Sequence, residues 1–187
     1  MKSEERPLLK MGAGRGTGKC LYMIGGPMGV GKTAACRQLQ QMLDRSVFLD
    51  GDWCWDAHPF QVTEETREMV LENIAFLLNR FLRCTAYDHV IFCWVLHRRE
   101  IWADLLRRLT EPYALRAVAL VCTSETLRTR LEGDIRAGVR EPDVVNRSLV
   151  YLPLYSTLDV RRLDVTELTP RETAAHILAA TEKEREP

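Results

Sequence analysis

Gly26-Pro27-Met28-Gly29-Val30-Gly31-Lys32-Thr33 satisfies the spacing G-x-x-x-x-G-K-[ST] at every fixed position. The flanks match as well: Leu21–Ile24 reads as a short buried strand, and Lys32–Leu43 follows as a helix. Glycines in such a loop let the backbone wrap closely around phosphate oxygens, with N–H groups pointing inward. The helix starting at Lys32 aims the positive end of its dipole at the same anion. Gly26, Pro27, Met28, Gly29, Val30 and Gly31 are therefore expected to cradle a nucleoside triphosphate. Lys32 would reach its β- and γ-phosphates, and the Thr33 hydroxyl would bind Mg²⁺. ATP and Mg²⁺ are the expected cofactors. The competing reading is a ligand-free glycine turn, and the strand–loop–helix context speaks against it.

A second glycine-rich run, Met11-Gly-Ala-Gly-Arg-Gly-Thr-Gly-Lys19, fails the same test. Ala13 stands where the first glycine belongs, Cys20 replaces the Ser/Thr, and no strand precedes it. Residues 1–20 are expected to form a loose polar tail, and 21–187 a single domain.

Beyond the loop helix, Val47–Leu49 is a second strand ending in Asp50-Gly51-Asp52. In an open α/β sheet, ligands bind at this carboxyl edge. Two carboxylates two residues apart in an extended segment point the same way. One could hold Mg²⁺ through water, and the other could orient or deprotonate an acceptor hydroxyl. Asp50 is assigned to the metal and Asp52 to the acceptor. Trp53 and Trp55 follow, and could stack on an acceptor ring; an ordinary turn with core tryptophans is the alternative.

Further along, Thr63 caps a helix to about Leu82, with Val70, Ile74, Leu77 and Phe81 at helical spacing. Val90–Leu96 is almost wholly apolar, as a parallel strand buried on both faces should be. It ends in His97-Arg98-Arg99 and carries no acid, so metal binding must lean on Thr33 and the aspartates. Arg98 could meet an acidic acceptor group, and a solvated helix start is the equal alternative. A helix near Arg99–Leu109, a strand Ala117–Cys122, a helix capped by Ser124, a helix over about Val144–Thr157 and a strand Arg162–Val165 follow. Thr169-Pro-Arg-Glu172 is a capping box opening the last helix. Alternating strands and helices of this kind predict a three-layer α/β domain on a five-stranded parallel sheet.

Arg128, Arg130, Arg136, Arg140 and Arg147 gather around Gly133 and Gly138. A planar guanidinium suits the charge spread over a phosphoryl group in transfer, and glycines would let such a segment close as a lid. Arg136 and Arg140 are the candidates for catalysis, and Arg128 for the nucleotide. Interleaved Glu125, Glu132, Asp134, Glu141 and Asp143 would make the same pattern on a solvated, ion-paired surface.

Bulk properties narrow the classes. Lys plus Arg equals Asp plus Glu, 26 against 26, which disfavours a polynucleotide track or an anionic membrane as partner. No apolar stretch has the length of a membrane span, and no signal-peptide pattern opens the chain. The cysteines at 20, 36, 54, 84, 93 and 122 make no C-x-x-C pair and no zinc spacing, as expected of reduced thiols in a cytoplasmic protein. A homodimer stays open.

The phosphate loop, the crossover helix and Leu49-Asp-Gly-Asp52 together resemble the small P-loop kinases, a group that includes chloramphenicol phosphotransferase and the shikimate, gluconate and adenylylsulfate kinases. That resemblance implies a five-stranded parallel sheet with the P-loop strand central, a Mg²⁺–ATP donor, a small-molecule acceptor and an arginine-bearing lid. It also implies that Asp52 contacts the acceptor and that Asp50 lies nearer the metal. Leu163-Asp-Val-Thr166 resembles the Asp-x-Ser/Thr turn near the adenine site of such kinases, and an ordinary strand-to-helix loop is equally compatible. The rival class is a nucleotide-binding switch or slow ATPase, for which no water-positioning Gln or strand-end acid stands out. A nucleic-acid end kinase is the third reading.

Overall fold

The computed structural model describes Leu8 and residues 18–182. Five strands form one sheet in the order β2-β3-β1-β4-β5, with every pair parallel. The strands are β1 Cys20–Gly25, β2 Ser46–Asp50, β3 His89–Cys93, β4 Ala114–Val121 and β5 Arg161–Asp164. Six α-helices connect or follow them among the described residues: α1 Lys32–Met42, α2 Glu64–Arg83, α3 Arg99–Arg108, α4 Ser124–Arg136, α5 Val144–Tyr151 and α6 Pro170–Glu182. This is the architecture the strand–helix alternation predicts, with the phosphate-loop strand β1 in the centre.

Strand β1 is buried at all six positions, because sheet neighbours flank it and helices cover both faces. One face packs on α2 and α3 through Leu21, Met23, Phe92, Ile74, Leu78 and Trp102. The other packs on α1 and α6 through Tyr22, Ile24, Ile91, Cys36, Leu39 and Ile177. Alternate residues of β1 thus feed different cores, the period-two rule of a strand. Each large side chain fully buried here contributes about 1.5–3 kcal/mol.

The local signals are mostly where the sequence puts them. Thr63 caps α2 and exchanges bonds with Thr66, and Thr169 and Glu172 form the capping box of α6. On α2 the fully buried line is Val70, Ile74, Leu78 and Leu82, with Leu77 and Phe81 half-buried beside it. Several boundaries differ. Strand β4 opens at Ala114 rather than Ala117, and the helix expected over Val144–Thr157 is α-helical to Tyr151 and then a 3₁₀ helix over Leu152–Thr157. The cap of α4 is Thr123, whose hydroxyl accepts from the Thr126 N–H, because Ser124 already has a helical position. The strand expected over Val90–Leu96 stops at Cys93. Past it the chain turns: Leu96 has φ +43°, the Trp102 indole N–H donates to its carbonyl at 2.8 Å, and the Tyr155 hydroxyl donates to the Val95 carbonyl.

Of the expected tail, residues 1–7 and 9–17 lie outside the described residues, as does most of the second glycine-rich run. Leu8 is buried, and its N–H donates to Asp159 Oδ2 at 2.8 Å. Cys20 opens β1.

Candidate active site

At the carboxyl edge of the sheet, the loop between β1 and α1 turns through Gly29 at φ +80° and Gly31 at φ +100°. A Cβ on Gly29 would stand 2.5 Å from Leu131 of α4, so the loop and that helix fit only with hydrogen at this position. Gly31 is the N-cap of α1, and no side chain bonds the first turn. The contrast with α2 and α6 is chemical. In each of them a threonine hydroxyl engages an N–H of the first turn, whereas the first turn of α1 has no side-chain cap, an arrangement suited to an anion. The loop therefore fits a phosphate group on its own geometry.

The half-buried Lys32 ammonium donates to the carbonyls of Gly26 and Pro27, each at 2.9 Å, which folds it over the loop. Burial pushes its pKa down from the usual lysine range. The carboxylates of Asp52 and Asp50 pull it back up, and the Arg140 guanidinium adds to the fall. The Thr33 hydroxyl donates to Asp50 Oδ2 at 2.6 Å. Asp50 is buried at the end of β2, and its other oxygen accepts the Asp52 N–H at 3.1 Å. Among the described residues no cluster of three or more His, Cys, Asp or Glu side chains is arranged to hold a metal. Thr33 and Asp50 alone would suit Mg²⁺, which keeps several waters and is bound through one or two protein oxygens with substrate phosphates.

The segment after Asp50 is not extended as expected. Gly51–Cys54 is a 3₁₀ turn with Asp50 as its N-cap. Asp52 is consequently turned toward the strand end of β3, where Trp94 Nε1 donates to its Oδ1 at 3.0 Å. The indole also lies across Gly51, where a Cβ would come within 2.5 Å of Trp94 Cγ. Asp52 meets solvent on one side and is hemmed in by protein on the others. Burial, then the Asp50 carboxylate, push its carboxyl above the usual range; Lys32, Trp94 and Arg140 act in the opposite direction.

The two tryptophans that follow diverge. Trp53 packs edge-on to Phe48 at 5.2 Å, under the Arg37 guanidinium at 5.5 Å, on the α1 side. Trp55 packs on Phe60 at 4.8 Å, beside the core under α2 and α3. The structure thus brings Lys32, Thr33, Asp50, Asp52 and Arg140 into one electrostatic cluster, joins Trp94 to it, and leaves Trp53 on a different wall. Arg98 is exposed and without a bonding partner among the described residues. Next to it His97 stacks on Tyr151 at 4.1 Å, and burial, then Arg98, push its imidazole below the usual range.

Among the arginines, Arg128 and Arg136 are exposed on α4 without a hydrogen-bond or ion-pair partner among the described residues. Arg140 pairs with Asp134 at 3.1 Å in the segment that turns at Gly138. Its charge acts on both Lys32 and Asp52. Arg130, not among the site residues predicted from sequence, joins three carbonyls: Val30 at 3.1 Å, Val165 at 3.0 Å and Thr166 at 3.1 Å. Asp164 accepts both the backbone N–H and the hydroxyl of Thr166, closing the turn on which Arg130 rests. Ser148 of α5 donates to the Met28 carbonyl at 2.6 Å, pinning the helix beyond the arginine segment to the phosphate loop.

No signal along the chain singled out Arg130 or Ser148, since they work across 100 and 120 residues of sequence to reach the loop. Trp94 had one available sign, a bulky indole late in the apolar run Val90–Leu96.

Known proteins place this arrangement. The sequence model of a family described as AAA domain matches residues 23–143, more than half of the chain. No curated protein matches it. Several solved structures do so by fold. A gluconokinase from Sinorhizobium meliloti 1021 is 18% identical, with a TM-score of 0.62 over 87% of this chain and 94% of its own. The tunicamycin resistance protein of Deinococcus radiodurans is 19% identical, with a TM-score of 0.63 over 87% and 95%. A shikimate kinase from Acinetobacter baumannii, in complex with shikimate, is 20% identical, with a TM-score of 0.59 over 90% and 96%. The chain belongs to the AAA domain family, and its fold is that of the small P-loop kinases.

Proposed function

We propose that this protein is a Mg²⁺- and ATP-dependent phosphotransferase that moves the γ-phosphate to a hydroxyl of a small-molecule acceptor. The observation that carries the reading is the joint between the two halves of the site. Thr33 of the phosphate loop is bonded to Asp50, and Asp50 in turn holds the backbone of Asp52. A carboxylate suited to the acceptor is thereby built onto the same frame as the donor site. Kinase neighbours whose names specify gluconate and shikimate, both hydroxy acids, support an acceptor of that size.

Bound Mg²⁺–ATP would supply the phosphoryl group and neutralise charge on it during transfer. Thr33 and Asp50 would hold the metal. Lys32, positioned by two loop carbonyls, would meet the phosphate oxygens of the bound nucleotide. Asp52 would take the acceptor's hydroxyl proton, a task its raised pKa favours. Arg140 would approach the transferred group from the segment around Gly138, with Trp55, Phe60 and Trp94 excluding water on the acceptor side. Arg136, Arg128 and Arg98 would meet the triphosphate or the acceptor only if their segments close further, and Trp53 would bind an acceptor only at its outer rim.

The test is ADP formation with Mg²⁺ across nucleosides, nucleotides, sugar acids and antibiotic-like hydroxyl compounds, for wild type and Asp52→Asn. An acceptor that accelerates turnover, gains phosphate and loses about a hundred- to ten-thousand-fold in Asp52→Asn supports the reading. Acceptor-independent hydrolysis, unchanged in Asp52→Asn, points to a switch or ATPase module instead.

A further inference from the structure

Helix α2 lies beside the acceptor turn, and its outward face has a feature the catalytic reading does not use. Phe76 is 65% exposed and Met69 42% exposed, one above the other two turns apart. Charges on this helix fall into two sets. Glu68 pairs with Arg108 at 2.7 Å and Arg83 with Glu111 at 2.5 Å, within the chain. Glu64, Glu65, Arg67, Glu72 and Arg80 are exposed and have no ion-pair partner among the described residues. Of these, Glu72 and Arg80 sit four residues before and four after Phe76, about 6 Å to either side along the axis.

We propose that this face binds a second copy of the chain, with two α2 helices packed antiparallel about a twofold axis at Phe76. A twofold contact requires that if position i meets position j, then j meets i. Placing Phe76 on the axis satisfies this at once: each Glu72 meets the partner's Arg80, and the two aromatic rings meet each other. A partner of unrelated sequence gives no reason for opposite charges to mirror each other about the most exposed aromatic of the helix. Zero formal net charge adds no long-range repulsion between copies. A pair of 20-residue helices forms a contact at the small end of specific interfaces, so association should depend on concentration. The contact would also back the acceptor turn, since Asn73 on the same helix donates to the Cys54 carbonyl at 3.3 Å.

Sedimentation velocity on the full chain at low salt, over a concentration series, tests this. Wild type should shift from monomer to dimer, and Phe76→Glu should stay monomeric. Glu72→Arg and Arg80→Glu should each weaken the dimer at least about tenfold, because each sets like charges against each other twice. An equimolar mixture of those two variants should dimerise again, one copy presenting two positive positions to two negative ones. Circular dichroism melts should match wild type, since all three sites are exposed. A wild-type monomer at every concentration, or a dimer indifferent to Phe76→Glu and to the charge changes, overturns the proposal.

Discussion

Two lysines in this chain follow a glycine of positive φ, Gly18 at +72° and Gly31 at +100°, and each donates to two backbone carbonyls. Lys19 stands before β1, at the amino end of the sheet. It binds the carbonyls of Cys84 and Tyr87, the latter at 2.5 Å, and clamps the turn that leads into β3. Lys32 stands after β1, at the carboxyl end, where its carbonyl partners belong to its own loop. Both are half-buried. The local chemistry is nearly the same, and the difference lies in what surrounds it. Around Lys19 are carbonyls and one solvent-facing carboxylate, Asp88, which is already paired with Arg45 at 2.7 Å. Around Lys32 are an uncapped helix start, two carboxylates and an arginine whose charges all bear on it. On the proposed reading, a Gly-Lys pair becomes a phosphate site through its place in the sheet.

Substitutions can break this contrast, and the largest effect should come from Lys32→Ala. Turnover should fall about a hundred- to a thousand-fold, as for loss of one positioned donor, while the melting temperature barely moves. Equal loss of activity and fold would erase the distinction from Lys19. Gly29→Ala should cost about 2 kcal/mol in denaturant titrations, because the position combines φ +80° with a 2.5 Å approach to Leu131; nucleotide binding should weaken with it. An undamaged loop would show that α4 yields easily. Lys19→Ala is the mirror experiment: about 1–2 kcal/mol of stability lost, with kcat per folded molecule unchanged.

The smallest effect sharpens the acceptor side. Trp94→Phe removes the N–H that favours the charged form of Asp52, so the Asp52 pKa should rise further. Activity that requires ionised Asp52 would then fall at higher pH than in wild type on the acidic limb, by less than about one unit, with the alkaline plateau kept. A limb that stays in place would mean that the indole packs on Gly51 and does nothing for the carboxylate.

How much of this was legible follows from the range of each interaction. The loop, its strand and its helix are set within eight residues, so spacing alone marks them. Strand order and helix positions follow from periodicity and caps, signals of similarly short range. Asp50 and Asp52 are legible because a strand end marks the ligand edge, and a turn through Asp-Gly-Asp is an open alternative there. What the sequence does not show is where that turn aims Asp52, whose carboxylate accepts from an indole 42 residues downstream. The apolar run Val90–Leu96 does not show where its strand ends: past Cys93 the backbone keeps bonds to Ile24 and Gly26, and it turns only at Leu96, with φ +43°. Arg130 was passed over for Arg128 because both lie on one helix, and only tertiary geometry tells which guanidinium reaches the loop.

The contact between Gly51 and Trp94 has a consequence for descent. With Trp94 Cγ 2.5 Å and Trp94 Cβ 2.9 Å from where a Cβ would sit, position 51 can gain a side chain only after position 94 has given up its indole and its backbone has shifted. The reverse order passes through a chain that cannot close its turn. Among relatives the two positions should therefore change together and in that sequence. A lineage that has shed the indole would be free to carry a bulkier residue between its two aspartates, and with it an acceptor of different shape.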